Sequence, residues 1–302
     1  MHQSTFMLPL FIKRQLPLMR HRRVVVSGRN MHVMDRGEGR PVLMLHGNPT
    51  WSFLYRKVIA ALLDDNRGQQ LHLVAPDLIG LGFSEKPRDP LVHTLRNHSR
   101  YIASLVEALD LRDVILVVQD WGGPIGLHAF RHMQDRLSGL VVLNTVVGPP
   151  KPGFRPTAFH RFAHSKVLAP LAFRGLGFPQ LNLNIAQGDK RSIPYVAQRA
   201  YRYPLRNRLD NGAPLALARM VPDDAHHVSI QPLQECQEVF DAFDGPCHVV
   251  WGDNDPVLGG VRTHIERLKP TAKVTRTNAG HFLQEEVPQT IADAILDVDA
   301  QL

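Results

Sequence analysis

Short unbroken apolar runs recur along the 302-residue chain, separated by segments in which apolar residues return every three or four positions. The first pattern suits strands covered on both faces and the second suits amphipathic helices. Their alternation predicts an α/β fold with a mostly parallel central sheet flanked by helices. Residues 23–27 and 31–35, joined by Gly28-Arg29-Asn30, read as an opening hairpin. Strands are expected over 41–45 and 71–76, with a helix over 51–63 between them. A helix over 94–109 carries Leu95, Ile102, Leu105, Val106 and Leu109 near helical spacing, and leads to a strand over 113–119 and a helix over 123–133. Residues 140–145 make the sixth strand.

Beyond that strand the pattern changes. Residues 148–222 are rich in Pro, Arg and aromatic side chains, with helical patches and no strand run. An insertion of this kind between core strands predicts a helical cap over the strand ends. The sheet resumes with strands over 247–251 and 273–277, a helix over 261–268 between them and a closing helix over 288–296. The expected division is an N-terminal extension at 1–20, an α/β core at 21–147 and 223–302, and a cap at 148–222.

Composition narrows the class without naming a chemistry. Apolar residues at 44% and charged residues at 21% are those of an ordinary globular protein. The formal charge of +7 gathers in residues 13–23 and 191–208, without interleaved stacking aromatics or a nucleic-acid-binding module. A solvated basic face is therefore expected, and no nucleic-acid partner. Two cysteines, Cys236 and Cys247, are too few for a disulfide framework and read as buried thiols of a reducing compartment. The apolar run 6–12 is broken by Pro9 and lacks the basic lead-in and small-residue cleavage site of a signal peptide. No stretch reaches the roughly 20 apolar residues that span a bilayer. A cytoplasmic protein with no membrane partner is expected, and the basic N-terminal extension is a candidate contact in a homo-oligomer.

Open α/β sheets bind ligands at the carboxyl ends of their strands, and the notable polar residues fall there. Asp120 follows Val-Ile-Leu-Val-Val-Gln and precedes Trp-Gly-Gly-Pro, a buried strand running through a glycine-flanked turn into a helix. That is the nucleophile elbow, with Asp where a hydrolase usually carries Ser. A carboxylate there can displace a leaving group from saturated carbon and leave an ester, which a base must then help to hydrolyse. Asn48 follows the strand at 41–45, Asp255 lies in Trp251-Gly252-Asp253-Asn254-Asp255-Pro256, and His281 lies in Asn278-Ala279-Gly280-His281-Phe282. Nucleophile, acid, histidine is the chain order of the α/β-hydrolase triad. Each has a plainer reading. Asp120 could be a helix N-cap, which the surrounding glycines and apolar strand disfavour. His281 could be one of sixteen ordinary histidines, which its place between the last strand and the last helix disfavours. Asp253 competes with Asp255 for the acid and reads better as a turn-former bonding its own backbone.

His46-Gly47-Asn48-Pro49-Thr50-Trp51 together with Gln119-Asp120-Trp121-Gly122-Gly123-Pro124 resembles the haloalkane dehalogenases of the α/β-hydrolase superfamily. The likeness runs from about Val24 to the end and takes in residues 76–87 and Ile193-Pro194-Tyr195. It implies that Asp120 attacks the halogen-bearing carbon and that Asn48 and Trp121 hold the departing halide. It also implies that backbone N–H groups of Asn48 and Trp121 form an oxyanion hole, and that His281, oriented by Asp255, activates water. An indole N–H and an amide NH₂ suit the halide role, because both donate without carrying a charge that would neutralise the nucleophile. One branch of the family takes its acid from a Glu after the strand preceding the cap, but Asn144 stands there, which leaves Asp255. The implied partners are a small apolar halogenated substrate, water and the halide product, with no metal and no organic cofactor. An epoxide hydrolase is the competing enzyme, with Tyr195, Tyr201 and Tyr203 as candidate ring-opening acids. A non-catalytic ligand-binding protein is the competing class, and would be expected to have lost a triad member.

Overall fold

The computed structural model describes residues 8–151, 153–155, 158–207 and 210–302; of the expected N-terminal extension, residues 1–7 lie outside the described residues, as does Arg208 of the second basic stretch. Eight strands form one sheet: β1 Arg20–Val26, β2 Arg29–Arg36, β3 Pro41–Leu45, β4 His72–Pro76, β5 Val114–Asp120, β6 Leu137–Thr145, β7 Cys247–Gly252 and β8 Lys273–Thr277. Their spatial order is β1-β2-β4-β3-β5-β6-β7-β8. β1 and β2 pair antiparallel, as do β2 and β4, and every other pairing is parallel.

The apolar runs are continuous because the parallel strands are buried on both faces. In β3, Leu43 and Leu45 face one core while Val42 and Met44 face the other; in β5, Val114, Leu116 and Val118 oppose Ile115 and Val117. The helices Leu95–Ala108 and Gly122–Phe130 cover the first face and the helices Arg56–Asp64 and Pro288–Asp299 the second. The opening hairpin turns more tightly than its sequence suggested. Ser27 and Gly28, at φ of 46° and 80°, make a two-residue turn of the kind that matches strand twist, and Arg29 and Asn30 already belong to β2.

Three further differences have local causes. Over residues 51–63 the chain first forms a 3₁₀ turn, Ser52–Tyr55, and becomes α-helical only from Arg56. The helix after Asp120 stops at Phe130, short of the expected end. A helix with no forecast, Ile230–Ala242, packs Leu233, Cys236, Val239 and Phe240 into the first core.

Between β6 and residue 222 the described residues form helices and no strand. From this insertion Ile193, Ala197, Ala200 and Tyr201 pack against Trp51, Phe53, Leu54 and Phe282. The described part of the N-terminal extension joins the same cluster, with Ile12 buried in it and the Phe11 ring edge-on to Tyr203. A buried ionic knot ties insertion to core. Glu285 accepts from Arg56 through both oxygens, at 2.5 and 2.9 Å, and from the Tyr201 hydroxyl at 2.5 Å. Burial alone would raise the Glu285 pKa, but the Arg56 charge and its hydrogen bonds outweigh this and hold the carboxyl below its usual range.

Removing one member of a buried pair strands the other charge. Glu285→Ala is therefore expected to lower the free energy of unfolding by about 3–5 kcal/mol, measured by chemical denaturation. A loss below about 1 kcal/mol, the level of an exposed pair, would show that the knot carries little weight.

Candidate active site

At the end of β5, Asp120 has a φ of 49°, in the left-handed region that non-glycine residues seldom occupy. Its neighbours make room for the turn. A Cβ on Gly122 would lie 2.3 Å from the Leu45 carbonyl oxygen, and one on Gly47 would lie 2.2 Å from Asp120 Oδ1. The Thr145 hydroxyl donates to the Asp120 carbonyl at 2.5 Å and pins the elbow to β6. The turn presents a carboxylate whose side chain is 16% exposed.

The two carboxylate oxygens have different surroundings. Oδ1 accepts from the Asn48 backbone N–H at 2.7 Å, whereas Oδ2 faces His281 Nε2 at 3.5 Å. His281 in turn gives Nδ1–H to Asp255 Oδ2 at 2.9 Å. The structure thus brings Asn48, Asp120, His281 and Asp255 into one connected set. Asp255 is held from three sides: Oδ2 accepts from Asn144 Nδ2 at 2.8 Å, and Oδ1 accepts from the backbone N–H of Val257 at 2.7 Å and of Leu258 at 3.1 Å. Asp253 points elsewhere. Instead of bonding its own backbone, its carboxylate pairs with Arg262 at 3.2 Å and Arg276 at 2.8 Å.

The Trp121 side chain is buried beside the elbow, and among the described residues no group accepts from its indole N–H. Asn48 is divided. Its amide Nδ2 donates to the Pro214 carbonyl of the insertion at 2.9 Å, while Oδ1 is buried without a partner. One amide hydrogen is therefore committed to the insertion and one is left over.

Electrostatics separates the members. Burial alone would lower the His281 pKa, but the charge of Asp255 and the contact with Asp120 outweigh it, and the imidazole is pushed up to about 10. The same partnership keeps Asp255 below the usual carboxylate range despite a burial penalty that acts the other way. Beneath the loop that carries Asn48, buried Asp77 accepts from the backbone N–H of Ser52 at 2.9 Å and of Phe83 at 2.7 Å and from His32 at 2.8 Å. Burial opposes its ionisation, yet these partners hold it down at about 2.

Four contributors escaped the sequence reading. Gln119 Nε2 donates to the His281 carbonyl at 3.1 Å; its signal was a polar residue closing an apolar strand. Asn144 was noted only for not being Glu, yet it links Asp255 to β7 through the Gly252 backbone. The Pro214 carbonyl and the Thr145 hydroxyl left no signal. Among the described residues no cluster of three or more His, Cys, Asp or Glu could hold a metal ion, and no helix is long and apolar enough to cross a membrane.

Residues 40–288 match the family described as alpha/beta hydrolase fold, which agrees with the sheet order, the elbow and the histidine after the last strand. A haloalkane dehalogenase of Mycobacterium marinum is 31% identical over 271 residues, covering 88% of this chain and 87% of that protein. The tetrameric haloalkane dehalogenase DpaA of Paraglaciecola agarilytica superposes with a TM-score of 0.79 at 27% identity, covering 95% of this chain and 94% of that one. A point mutant of the haloalkane dehalogenase DatA of Agrobacterium tumefaciens does so with a TM-score of 0.81 at 26% identity, over 92% and 96% of the two chains. The chain belongs to the haloalkane dehalogenases.

A group whose folded pKa is raised stabilises the fold fully below its unfolded value, and loses that contribution as pH climbs through the folded value. With 6.5 unfolded and about 10 folded, the extra stability conferred by His281 over His281→Gln is expected to be largest below pH 6.5 and to fade toward pH 10. Denaturation midpoints of both proteins across that window measure it; a difference that grows with pH would contradict the charged pairing.

Proposed function

We propose that this enzyme, which hydrolyses haloalkanes to an alcohol and a halide, does so through an ester on Asp120. The observation that carries the reading is the asymmetry of the carboxylate, with Oδ1 held by the Asn48 N–H and Oδ2 turned toward His281. Oδ2 attacks the halogen-bearing carbon, the carbon–halogen bond breaks, and the halide leaves with its electron pair toward the Trp121 indole N–H and the remaining Asn48 amide hydrogen. Asp120 is now neutral. His281 loses one of the two carboxylates that raised its pKa, so it sheds its proton to solvent more readily and becomes a base when the second step needs one.

Water then attacks Asp120 Cγ while His281 Nε2 takes its proton, and Asp255 steadies the imidazolium. The charge that develops on Oδ1 lies against the Asn48 backbone N–H, with the Trp121 backbone N–H as the second donor of the oxyanion hole. Collapse of the intermediate expels the alcohol, which takes the proton from His281; the remaining proton on the added oxygen then passes to His281, restoring the carboxylate and the imidazolium. In this reading residues 148–222 act as a cap. They close the site over the strand ends, and a dry site strengthens each of these electrostatic contacts.

The three candidate ring-opening tyrosines lie in different settings, and one of them has its hydroxyl committed elsewhere. Tyr195 is 71% exposed, Tyr201 gives its hydroxyl to Glu285, and the Tyr203 ring lies beneath the Arg206 guanidinium.

The experiment is halide release from a series of bromo- and chloroalkanes, run beside a terminal epoxide. Bromide is expected from the parent and none from Asp120→Ala, and His281→Phe is expected to gain one alkyl group on Asp120 by mass spectrometry. Epoxide opening without halide release, or bromide release that survives in Asp120→Ala, would overturn the reading. Trp121→Phe is expected to slow halide release by about 10²-fold, the cost of losing one preorganised donor; an unchanged rate would remove the indole from the halide site.

A further inference from the structure

The loop that carries His281 is fastened to the insertion as well as to the core, where Gln119 donates to the His281 carbonyl. Its three consecutive backbone N–H groups all donate to that segment or to the residue that clasps it: Gly280 to Glu286 Oε1 at 2.9 Å, His281 to the Ala186 carbonyl at 2.8 Å, and Phe282 to Gln187 Oε1 at 2.9 Å. Gln187 also returns a bond, its Nε2 donating to the Phe282 carbonyl at 3.1 Å, so one side-chain amide pairs with both polar groups of the Phe282 backbone. Glu286 reaches from the core and accepts from the backbone N–H of Gly188 at 3.1 Å and of Asp189 at 2.8 Å. Contact is close enough that a Cβ on Gly280 would lie 2.3 Å from the Ala186 oxygen and 2.5 Å from Gln187 Cα. Gln187 is 1% exposed, so its two bonds to Phe282 are made without competing water.

We infer that Gln187 is a positioning residue for ester hydrolysis, holding the His281 loop against residues 186–189 so that Nε2 stays aimed at Asp120. The inference rests on the proposed role of His281 as the base, and it assigns the insertion a part in the second half-reaction besides that of a cover. Geometry separates the two steps. Attack by Asp120 Oδ2 on the substrate depends on the elbow, which β5 and β6 fix through Thr145, and none of the 186–189 bonds reaches it. Water activation depends on where Nε2 points. A hydrogen bond misplaced by about 1 Å is enough to slow a step by about 10²-fold.

The test is rapid-quench kinetics on the full chain with a bromoalkane, comparing parent, Gln187→Ala and His281→Phe. For Gln187→Ala the expected result is a full burst of one bromide per active site, kcat at least tenfold lower, KM lowered with it, and kcat/KM within about threefold of the parent. The alkyl ester on Asp120 should accumulate in the steady state. Glu286→Ala, at a more exposed position, is expected to show the same split and serves if Gln187→Ala does not fold. Equal losses in kcat and kcat/KM, or parent-like turnover by a folded Gln187→Ala, would overturn the inference. His281→Phe distinguishes its failure from that of the reading beneath it. Ester trapped in His281→Phe alone leaves His281 as the base and removes Gln187. Ester trapped in neither removes both.

Discussion

The candidate site depends first on one backbone constraint, the left-handed turn at Asp120. A non-glycine residue there costs about 1–3 kcal/mol and persists only where its surroundings over-determine it. Here they do: β5 is buried on both faces, Gly122 lets the Leu45 carbonyl approach to where a Cβ would stand, and Thr145 holds the Asp120 carbonyl from β6. The turn puts the carboxylate between the end of β3, which supplies the Asn48 N–H, and the loop after β8, which supplies His281. Neither contact would survive if the chain continued as an ordinary strand.

Charge then gives that geometry an order in time. Two carboxylates flank one buried imidazole, and the resting arrangement favours its protonated form. A permanent imidazolium could not activate water. In the proposed mechanism, esterification of Asp120 removes one of the two charges that sustain it, so the first step creates the condition for the second. On that proposal no separate switch is needed, because the proposed nucleophile is also one of the two carboxylates that face the proposed base.

The fold was legible because its signals are strong and redundant. Continuous apolar runs in β3, β5 and β6 could only be strands covered on both sides, and the glycines around Asp120 marked a sharp turn wherever the sheet lay. The residues at the strand ends were legible for the same reason, since chain order and strand ends confine them to one rim. What escaped is what depends on distance in space. The helix Ile230–Ala242 has Pro and several Gln in it and shows its apolar face only against the helix Gly122–Phe130. Asn144 and Gln187 are ordinary amides in sequence; their roles come from partners more than 90 residues away in the chain. Asp253 and Asp255 differ by two positions and by everything around them. The Asp255 loop folds its backbone N–H groups inward onto that carboxylate, whereas Asp253 turns outward to two guanidiniums.

The central claim is that the oxygen delivered to the product comes first from Asp120 and not from water. A single turnover in heavy-oxygen water, with enzyme in excess over a bromoalkane, tests it directly by mass spectrometry of the alcohol and of the peptide containing Asp120. The account predicts unlabelled alcohol and a heavy oxygen in the Asp120 carboxylate. Labelled alcohol with an unlabelled Asp120 would mean that water attacks the substrate itself, and the ester mechanism would be wrong.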